Sequence, residues 1–148
     1  MERRRVVITG LGAVTPVGLT AAESWEAVKA GKCGIGPITL YDASSMKAKL
    51  AGEVKGFDPA NYMEKREARK VDRFAQFALA AAREAVEQSG LDFAGEDPYR
   101  CGVILSAGIG GLYTLQHETA KGEQKGYDKI SPFFIPMSIG NMAAAHIP

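Results

Sequence analysis

The chain has 148 residues, of which 46% are hydrophobic and 24% are charged, a composition typical of one globular domain and not of a disordered segment. Its formal net charge of +1 excludes a global field that would attract nucleic acid or an anionic membrane, so any electrostatic function must come from a local patch. No stretch approaches the ~20 apolar residues that cross a bilayer, and no secretory leader is recognisable, so a cytoplasmic location is expected.

The N-terminal part of the sequence predicts a strand, a turn and a helix. Residues 5–9 form a β-branched apolar run, which predicts a buried strand, and the glycine- and proline-rich residues 10–18 predict a tight turn. Thr20 and Glu23 have the spacing of a capping box, in which a hydroxyl and a carboxylate satisfy free amides at a helix start. This spacing predicts a helix that ends at Gly31 in the left-handed conformation.

The middle of the chain contains the clearest helix. Residues 31–47 predict a loop, residues 50–54 a short strand, and Asp58 with the proline after it a short helix. Over residues 69–89 apolar side chains, many of them alanine, recur at helical spacing, and Gly90 closes the pattern. The alanines predict close packing against another helix or a sheet.

The last third begins with a second apolar run. Residues 102–106 predict a fully buried strand, and residues 107–111 a glycine-rich turn. The elements after it are a helix, an exposed loop, an extended segment pinned by two prolines and a further helix, at residues 112–119, 121–129, 131–136 and 138–146. Alternating helices and apolar strands predict an α/β fold with a buried sheet of three strands, whose edges would need partners.

Both glycine-rich turns follow a predicted strand, so a nucleotide-binding α/β enzyme has to be considered. The dinucleotide fingerprint requires a third glycine three positions after the second, where this chain has Thr15 and Tyr113. Neither turn has the Gly-Lys-Ser/Thr of a P-loop. The spacing therefore favours tight strand-to-helix connections over phosphate binding.

The cysteines and histidines do not form a recognisable catalytic or metal-binding set. Cys33 lies in a predicted loop with no base beside it, and Cys101 opens a predicted buried strand and is interpreted as a small core residue. His117 is expected to be solvated, and nothing assigns a role to His146 near the end of the chain. No catalytic residue, metal site or cofactor is predicted.

One cluster concentrates basic side chains in the sequence. It consists of Lys65, Arg66, Arg69, Lys70 and Arg73, whose spacing places them along one side of a helix or of its first turn. Acidic residues are interspersed, so a self-neutralised, solvated surface is one interpretation, and a binding module that docks an acidic partner is the other. Nucleic acid fits less well, because no aromatic platform is interleaved and the overall charge is near zero.

Four segments in the same order resemble the elongating, type II-like β-ketoacyl-acyl-carrier-protein synthases, condensing enzymes of the thiolase superfamily. Residues 6–18 resemble their first strand and loop, and residues 65–74 resemble a basic segment that leads into a long helix. Residues 106–111 resemble their glycine-rich acyl-pocket turn, and residues 130–142 the dimer-proximal segment ahead of the nucleophile. The resemblance covers essentially the whole chain.

This resemblance implies a thiolase-like layered α/β/α architecture in incomplete form. Residues 1–148 would be the N-terminal part of a ketoacyl synthase domain, without the last strands of the N-terminal half and without the C-terminal half. The implied activity is the decarboxylative Claisen condensation of an acyl thioester with malonyl-acyl-carrier protein in fatty acid biosynthesis. In the family the nucleophilic cysteine follows the segment that matches residues 133–148, and the histidines here do not match the catalytic pair, so the chain alone is expected to be inactive.

What the resemblance carries over to this chain is binding. Gly108 and Ile109 match the turn that lines and gates the acyl pocket, where a β-branched side chain would limit chain length. Phe134 resembles the aromatic residue that reaches the acyl pocket of the neighbouring subunit. The patch that meets the acidic carrier protein matches Lys65, Arg66, Arg69 and Lys70. The implied partners are acyl-carrier protein and, in the full-length enzyme, a second copy in a homodimer, without nucleic acid or membrane.

An incomplete fold has a consequence for the surface. The two apolar runs and residues 133–135 should lack the neighbours that cover them in a complete sheet. We therefore expect them to expose apolar area beyond the few hundred Å² usual for a monomer.

Overall fold

Helices dominate the computed structural model, which describes residues 5–147. The α-helices are α1 (Ala21–Lys29), α2 (Lys65–Ala68), α3 (Arg73–Ser89), α4 (Leu112–Lys125), α5 (Phe134–Ser138) and α6 (Met142–Ala145). Short 3-10 turns lie at Pro59–Asn61, Phe93–Gly95, Pro98–Arg100 and Tyr127–Lys129. Strands β1 (Ile35–Pro37) and β2 (Leu50–Gly52) pair antiparallel, with Ile35 opposite Gly52. Within the described residues, no helix combines the length and the apolar character needed to cross a membrane.

Helix α1 begins and ends where the sequence predicts. Thr20 Oγ1 accepts from the Glu23 amide at 3.1 Å. The Glu23 carboxylate accepts from the Leu19 amide at 2.8 Å, one residue earlier than in a standard capping box. Gly31, with φ of +67°, follows the helix in the left-handed conformation. The predicted capping is confirmed because its donors and acceptors all lie within one turn.

Helix α3 starts four residues later than predicted, and the basic residues lie on a corner between two helices. Helix α2 ends at Ala68, and Asp72 caps α3 by accepting from the Phe74 amide at 3.5 Å. An aspartate favours the position before a helix because its carboxylate satisfies an amide that lacks an intrahelical partner. The basic residues therefore lie on α2 and on the bend into α3 and do not continue along one side of α3, while Gly90 closes α3 as predicted.

The core of the described residues lies where α3 meets α6. Val71, Ala75 and Ala143 form a buried cluster between these elements. Partly buried side chains pack around it, namely Met63, Phe74, Ala78 and Leu105. Small alanine side chains bring the two helices close, as the alanine-rich pattern predicts.

The two predicted buried strands do not form. Residues 5–9 and 102–106 have no regular secondary structure, and Val6, Ile8 and Ile104 are 90%, 81% and 103% exposed. A strand needs a neighbour that takes up its amides and carbonyls, and no segment among residues 5–147 pairs with either run. The prediction of a buried three-stranded sheet was wrong, whereas the expected exposure of the apolar runs is confirmed.

The sheet that does form includes part of a predicted loop. Strand β1 lies within residues 31–47, which carry glycine and were expected to be irregular. Strand β2 confirms the short strand predicted at residues 50–54 and gives β1 its partner. The composition of residues 31–47 does not predict β1, because a strand of three residues depends on its pairing partner and not on local propensity.

The segment after the second glycine-rich turn is more helical than predicted. Helix α4 continues through residues 121–125, which were expected to belong to a loop. Helix α5 begins at Phe134, inside a segment expected to be extended. Pro136 occupies the third position of α5, where its missing amide has no intrahelical acceptor to lose. Of the helix predicted at residues 138–146, the short α6 is present.

Candidate functional site

The first glycine-rich turn lies directly against the backbone of α3. A Cβ added to Gly10 would clash with the Ala85 carbonyl, and one added to Gly12 would clash with the Ala81 carbonyl. Glycine at these two positions therefore allows the turn to contact the helix backbone.

Two side chains of α3 accept hydrogen bonds from amides of this turn and from the first amide of α1. Glu84 Oε2 accepts from the Ala13 amide at 2.9 Å, and Glu84 Oε1 accepts from the Ala21 amide at 2.8 Å. Gln88 Oε1 accepts from the Leu11 amide at 2.5 Å. These side-chain oxygens already accept from amides of the turn that would otherwise be free to bind a phosphate, which argues against nucleotide binding there. Their role is to attach the N-terminal part of the chain to α3.

The second glycine-rich turn packs against residues 137–140. The Gly111 amide donates to the Ser138 carbonyl at 3.0 Å. A Cβ on Gly110 would clash with the same carbonyl, and Gly110 has φ of +90°. The turn that carries the predicted acyl-pocket residues therefore contacts the C-terminal end of α5, the helix that begins at Phe134.

The predicted pocket residues lie on the outer side of this contact. Ile109 is 71% exposed, and a Cβ added to Gly108 would meet no atom within 4 Å. Phe134 is half-buried at the start of α5. The described residues bring the turn and α5 together but leave the Ile109 side chain exposed.

Asp72 connects the second turn to the basic segment. Asp72 is 6% exposed, and its Oδ2 accepts from the Thr114 amide at 3.1 Å and from the Thr114 hydroxyl. Helix α4 begins directly after Gly111, and Thr114 lies in its first turn. One carboxylate therefore holds the starts of both α3 and α4. In the sequence, Asp72 is one of the acidic residues interspersed among the basic ones. The available signal was an aspartate at a helix start, which reveals the cap but not a partner 42 residues away.

We call Lys65, Arg66, Arg69 and Lys70 the basic corner. Lys65, Arg66 and Arg69 are exposed, and among residues 5–147 none of them forms an ion pair. Lys70 differs, because its Nζ lies 2.6 Å from Glu67 Oε1 and 6.0 Å from the centroid of the Phe133 ring. Self-neutralisation therefore applies to Lys70, while the other three cations face solvent.

Arg73 belongs to the sequence cluster but not to the exposed corner. Its guanidinium lies 4.8 Å from the centroid of the Phe77 ring and 5.7 Å from that of Phe57. It also donates to the Val54 carbonyl at 3.2 Å. These contacts give Arg73 a packing role between the start of α3 and the loop before it.

The positive field of the corner acts on Glu67. The hydrogen bond from Lys70 is the largest cause that lowers the pKa of Glu67 from its ordinary value of 4.5. The charges of Lys70, Arg66 and His146 act in the same direction, while desolvation opposes them. His146, to which the sequence assigned no role, therefore lies near enough to this surface to act on Glu67.

An open groove borders the corner. It has a volume of about 360 Å³, and its lining includes Lys65, Arg69, Gln76 and Asp58. Gln76 Nε2 donates to the Ala68 carbonyl at 2.9 Å, which fixes the end of α2 against α3 at the floor of this region. Two of the exposed cations, Lys65 and Arg69, thus line this groove.

The cysteines and histidines stay apart within the described residues. Cys33 and Cys101 are both exposed, so the core role predicted for Cys101 was wrong, because the strand it was to open does not form. Cys33 Sγ has the Ile35 carbonyl 3.8 Å away, and residues 5–147 contain no cluster of three metal-ligating side chains. His117 is exposed as predicted and stacks on Tyr113, with ring centroids 5.8 Å apart.

Comparisons with known sequences identify similar proteins along the whole chain. A family model described as "Beta-ketoacyl synthase, N-terminal domain" matches residues 3–148. The chain is 46% identical over 147 residues to "3-oxoacyl-[acyl-carrier-protein] synthase 2" of Coxiella burnetii, which covers 99% of this chain and 36% of that protein. It is 41% identical over 146 residues to the protein of the same name from Staphylococcus aureus, covering 99% and 35%. The chain spans about a third of the length of these curated relatives.

Solved structures show the same fold. The chain superposes on the ishigamide ketosynthase/chain length factor with a TM-score of 0.79 and 24% identity, over 99% of this chain and 38% of that one. It superposes equally well, with a TM-score of 0.79 and 23% identity, on a structure described as a type II PKS acyl-carrier protein in complex with its ketosynthase, AntDE:AntF, over 98% and 38%. These matches confirm the expected architecture, thiolase-like and incomplete.

Proposed function

Because the chain belongs to the β-ketoacyl synthase family, we propose that it supplies the carrier-protein docking surface and part of the acyl-pocket wall of a condensing enzyme. The proposed reaction is the decarboxylative condensation of an acyl thioester with malonyl-acyl-carrier protein in fatty acid biosynthesis. The observation that carries the docking role is the set of three exposed cations, Lys65, Arg66 and Arg69, beside an open groove.

The charge of the basic corner fits an acidic partner. Exposed cations that are not neutralised by neighbouring carboxylates attract a negatively charged surface and raise the rate of encounter. The complex of an acyl-carrier protein with its ketosynthase, to which this chain is similar in fold, supports a carrier protein as the partner. A carrier protein that docks here would approach the groove lined by Lys65 and Arg69.

The second glycine-rich turn supports the proposed pocket. We propose that Gly108 and Ile109 line the acyl chain and that Phe134 contributes from the start of α5. The contact between Gly111 and Ser138 keeps the turn against this helix, and Ile109 is open on the other side. An apolar wall of this kind discriminates acyl chains by about 1–3 kcal/mol per methylene.

The chemistry of condensation requires a nucleophilic cysteine and two histidines in this family. Neither Cys33 nor Cys101 stands in the sequence context of that nucleophile, and neither histidine matches the catalytic pair. We therefore propose that the 148 residues bind without catalysing. From the family resemblance we also propose that the complete enzyme is a cytoplasmic homodimer.

Carrier-protein binding to the chain tests the docking role. The variant Lys65→Glu/Arg66→Glu/Arg69→Glu should bind acyl-carrier protein at least about tenfold more weakly, chiefly through slower association, and its affinity should depend less on salt. Lys47→Glu/Lys49→Glu/Lys125→Glu is the matched control, since it alters three exposed lysines elsewhere and carries the same net charge. An equal loss of affinity in both variants would show that net charge, and not this corner, attracts the carrier protein.

A further inference from the structure

Asp72 stands between the proposed docking surface and the proposed pocket wall. It follows Lys70 by two residues, and Val71 between them is buried in the cluster with Ala75 and Ala143. Its Oδ2 accepts two hydrogen bonds from Thr114, and a Cβ added to Gly111 would lie 3.0 Å from the same oxygen. The carboxylate is therefore hydrogen-bonded to buried Thr114 in the first turn of α4 and lies close to Gly111, the residue that ends the glycine-rich turn.

A second path joins the same two regions. Lys70 Nζ lies 6.0 Å from the centroid of the Phe133 ring, and Phe133 directly precedes α5. The Met137 amide donates to the Phe133 carbonyl at 2.9 Å, and the Ser138 carbonyl accepts from the Gly111 amide. Residues 70–72 are thus connected to the turn through α4 on one side and through α5 on the other.

The connection through Asp72 and α4 depends on hydrogen bonds to a buried carboxylate. A carboxylate with 6% exposure loses its hydration, and among residues 5–147 no cation pairs with it. The side chain is therefore held in place by the hydrogen bonds from Thr114 and by the longer one, at 3.5 Å, from the Phe74 amide. A displacement of Asp72 would break these bonds unless the start of α4 moved with it.

We propose that Asp72 is a positioning residue that transmits docking at the basic corner to the glycine-rich turn at residues 108–111. The inference rests on the docking function proposed above. A carrier protein that binds Arg69 and displaces Lys70 also shifts Val71 and Asp72, which directly follow Lys70 in the chain. The two hydrogen bonds between Thr114 and Asp72 convey this shift to the turn. Because binding free energies are coupled reciprocally, a change at the turn alters the affinity of the corner by the same factor.

Hydrogen exchange on the chain, with and without acyl-carrier protein, tests the coupling. The reporter for the second turn is the Leu115 amide in α4, because it donates to the Gly111 carbonyl of that turn at 2.9 Å. The reporter at the corner is the Lys70 amide, which donates to the Glu67 carbonyl at 2.8 Å. In the native chain, carrier protein should slow exchange at Leu115 by about fivefold.

Three variants separate the coupling from a general loss of structure. Thr114→Val removes the hydroxyl donor and should abolish the slowing at Leu115 while lowering carrier affinity by the same factor, about fivefold. Thr114→Ser keeps the hydroxyl and should restore both effects. Thr119→Val makes the same substitution at an exposed position of α4 and should behave as the native chain does. Equal slowing at Leu115 in all four proteins, or slowing in none that bind the carrier, would overturn the proposal.

Failure of the docking function has a different signature. If the native chain does not bind acyl-carrier protein, the docking proposal fails, and the coupling is then decided by the free chain. In that case the Lys70 amide should still exchange about fivefold faster in Thr114→Val than in Thr114→Ser. The reason is that losing the buried hydrogen bond to Asp72 would also destabilise the neighbouring residues 70–72. Identical exchange at Lys70 in the two variants would overturn the coupling by itself.

Discussion

The two glycine-rich turns begin with the same sequence pattern and have opposite surroundings. The turn at residues 10–12 lies against α3, and Glu84 and Gln88 take up its amides. The turn at residues 108–111 is closed on the side of α5 and open at Ile109. A Gly-x-Gly after an apolar run therefore indicates a close backbone approach, and the elements packed against the turn decide how much of it stays exposed.

Replacing one glycine in each turn gives the largest contrast. Gly12→Ala should lower the free energy of unfolding by roughly 3 kcal/mol, because the added Cβ would clash with the backbone of α3, which cannot easily move. Gly108→Ala should change it by less than about 0.5 kcal/mol, since no atom lies within 4 Å of the added Cβ. Urea unfolding of the two variants measures the difference, and similar values would contradict the contrast between a closed and an open turn.

The amide contacts of the first turn provide the next largest effect. Glu84→Gln should cost about 1–2 kcal/mol, because it weakens the charge-assisted hydrogen bonds from the amides of Ala13 and Ala21. Glu87→Gln is the matched control one helical turn away, where an exposed pair with Arg83 contributes about 0–1 kcal/mol. Urea unfolding under the same conditions compares them, and an equal cost would remove Glu84 as the anchor of this turn.

The smallest expected effect is the pH dependence of stability that comes from Glu118, which holds the segment beside the second turn. The Ser131 amide, at 2.6 Å, and then Lys121 lower the pKa of Glu118 from its ordinary value of 4.5, and this carboxylate holds the segment that leads into α5. A lowered pKa contributes stability that is complete above the unfolded value and is lost as pH falls through the folded value. Stability of the native chain should therefore decline more steeply below about pH 4.5 than that of Glu118→Gln.

Urea unfolding between about pH 6 and about pH 3 measures this difference. The exposed Glu123→Gln on the same helix is the control and should follow the native chain. Because Glu67, Glu53 and Asp42 also have a lowered pKa, Glu118→Gln should retain part of the acid dependence. Identical profiles of the native chain and Glu118→Gln would contradict a role for Glu118 in holding this segment.

Local features of the fold were predictable because their physical causes lie within one turn of chain. The cap at Thr20 and the left-handed glycines Gly31 and Gly90 follow from the spacing of donors, acceptors and steric freedom in the sequence. Asp58 likewise accepts from the Ala60 amide at 2.9 Å, as its place before a proline predicts. These positions are the same in the sequence interpretation and in the structure.

The predicted strands were wrong because a strand is defined by its neighbours. Val6 to Ile8 and Val103 to Ile104 have strong β propensity, yet no segment of the described residues pairs with them. The basic segment is likewise divided in the structure, because Arg73 packs on aromatic rings while Lys65 and its neighbours are exposed. Sequence spacing alone could not distinguish a cation that packs from one that faces solvent.

The sequence by itself determined the family and the order of its segments, since residue patterns at four sites agree with a match that runs over residues 3–148. It also determined where cations, glycines and helix caps lie along the chain. Only the tertiary structure decided that Glu84 closes the first turn and that Asp72 joins the basic corner to the second. The reason is sequence separation: the first hydrogen bond joins positions that are 71 residues apart in the chain, and the second joins positions that are 42 residues apart. Contacts between such distant positions depend on how the helices pack.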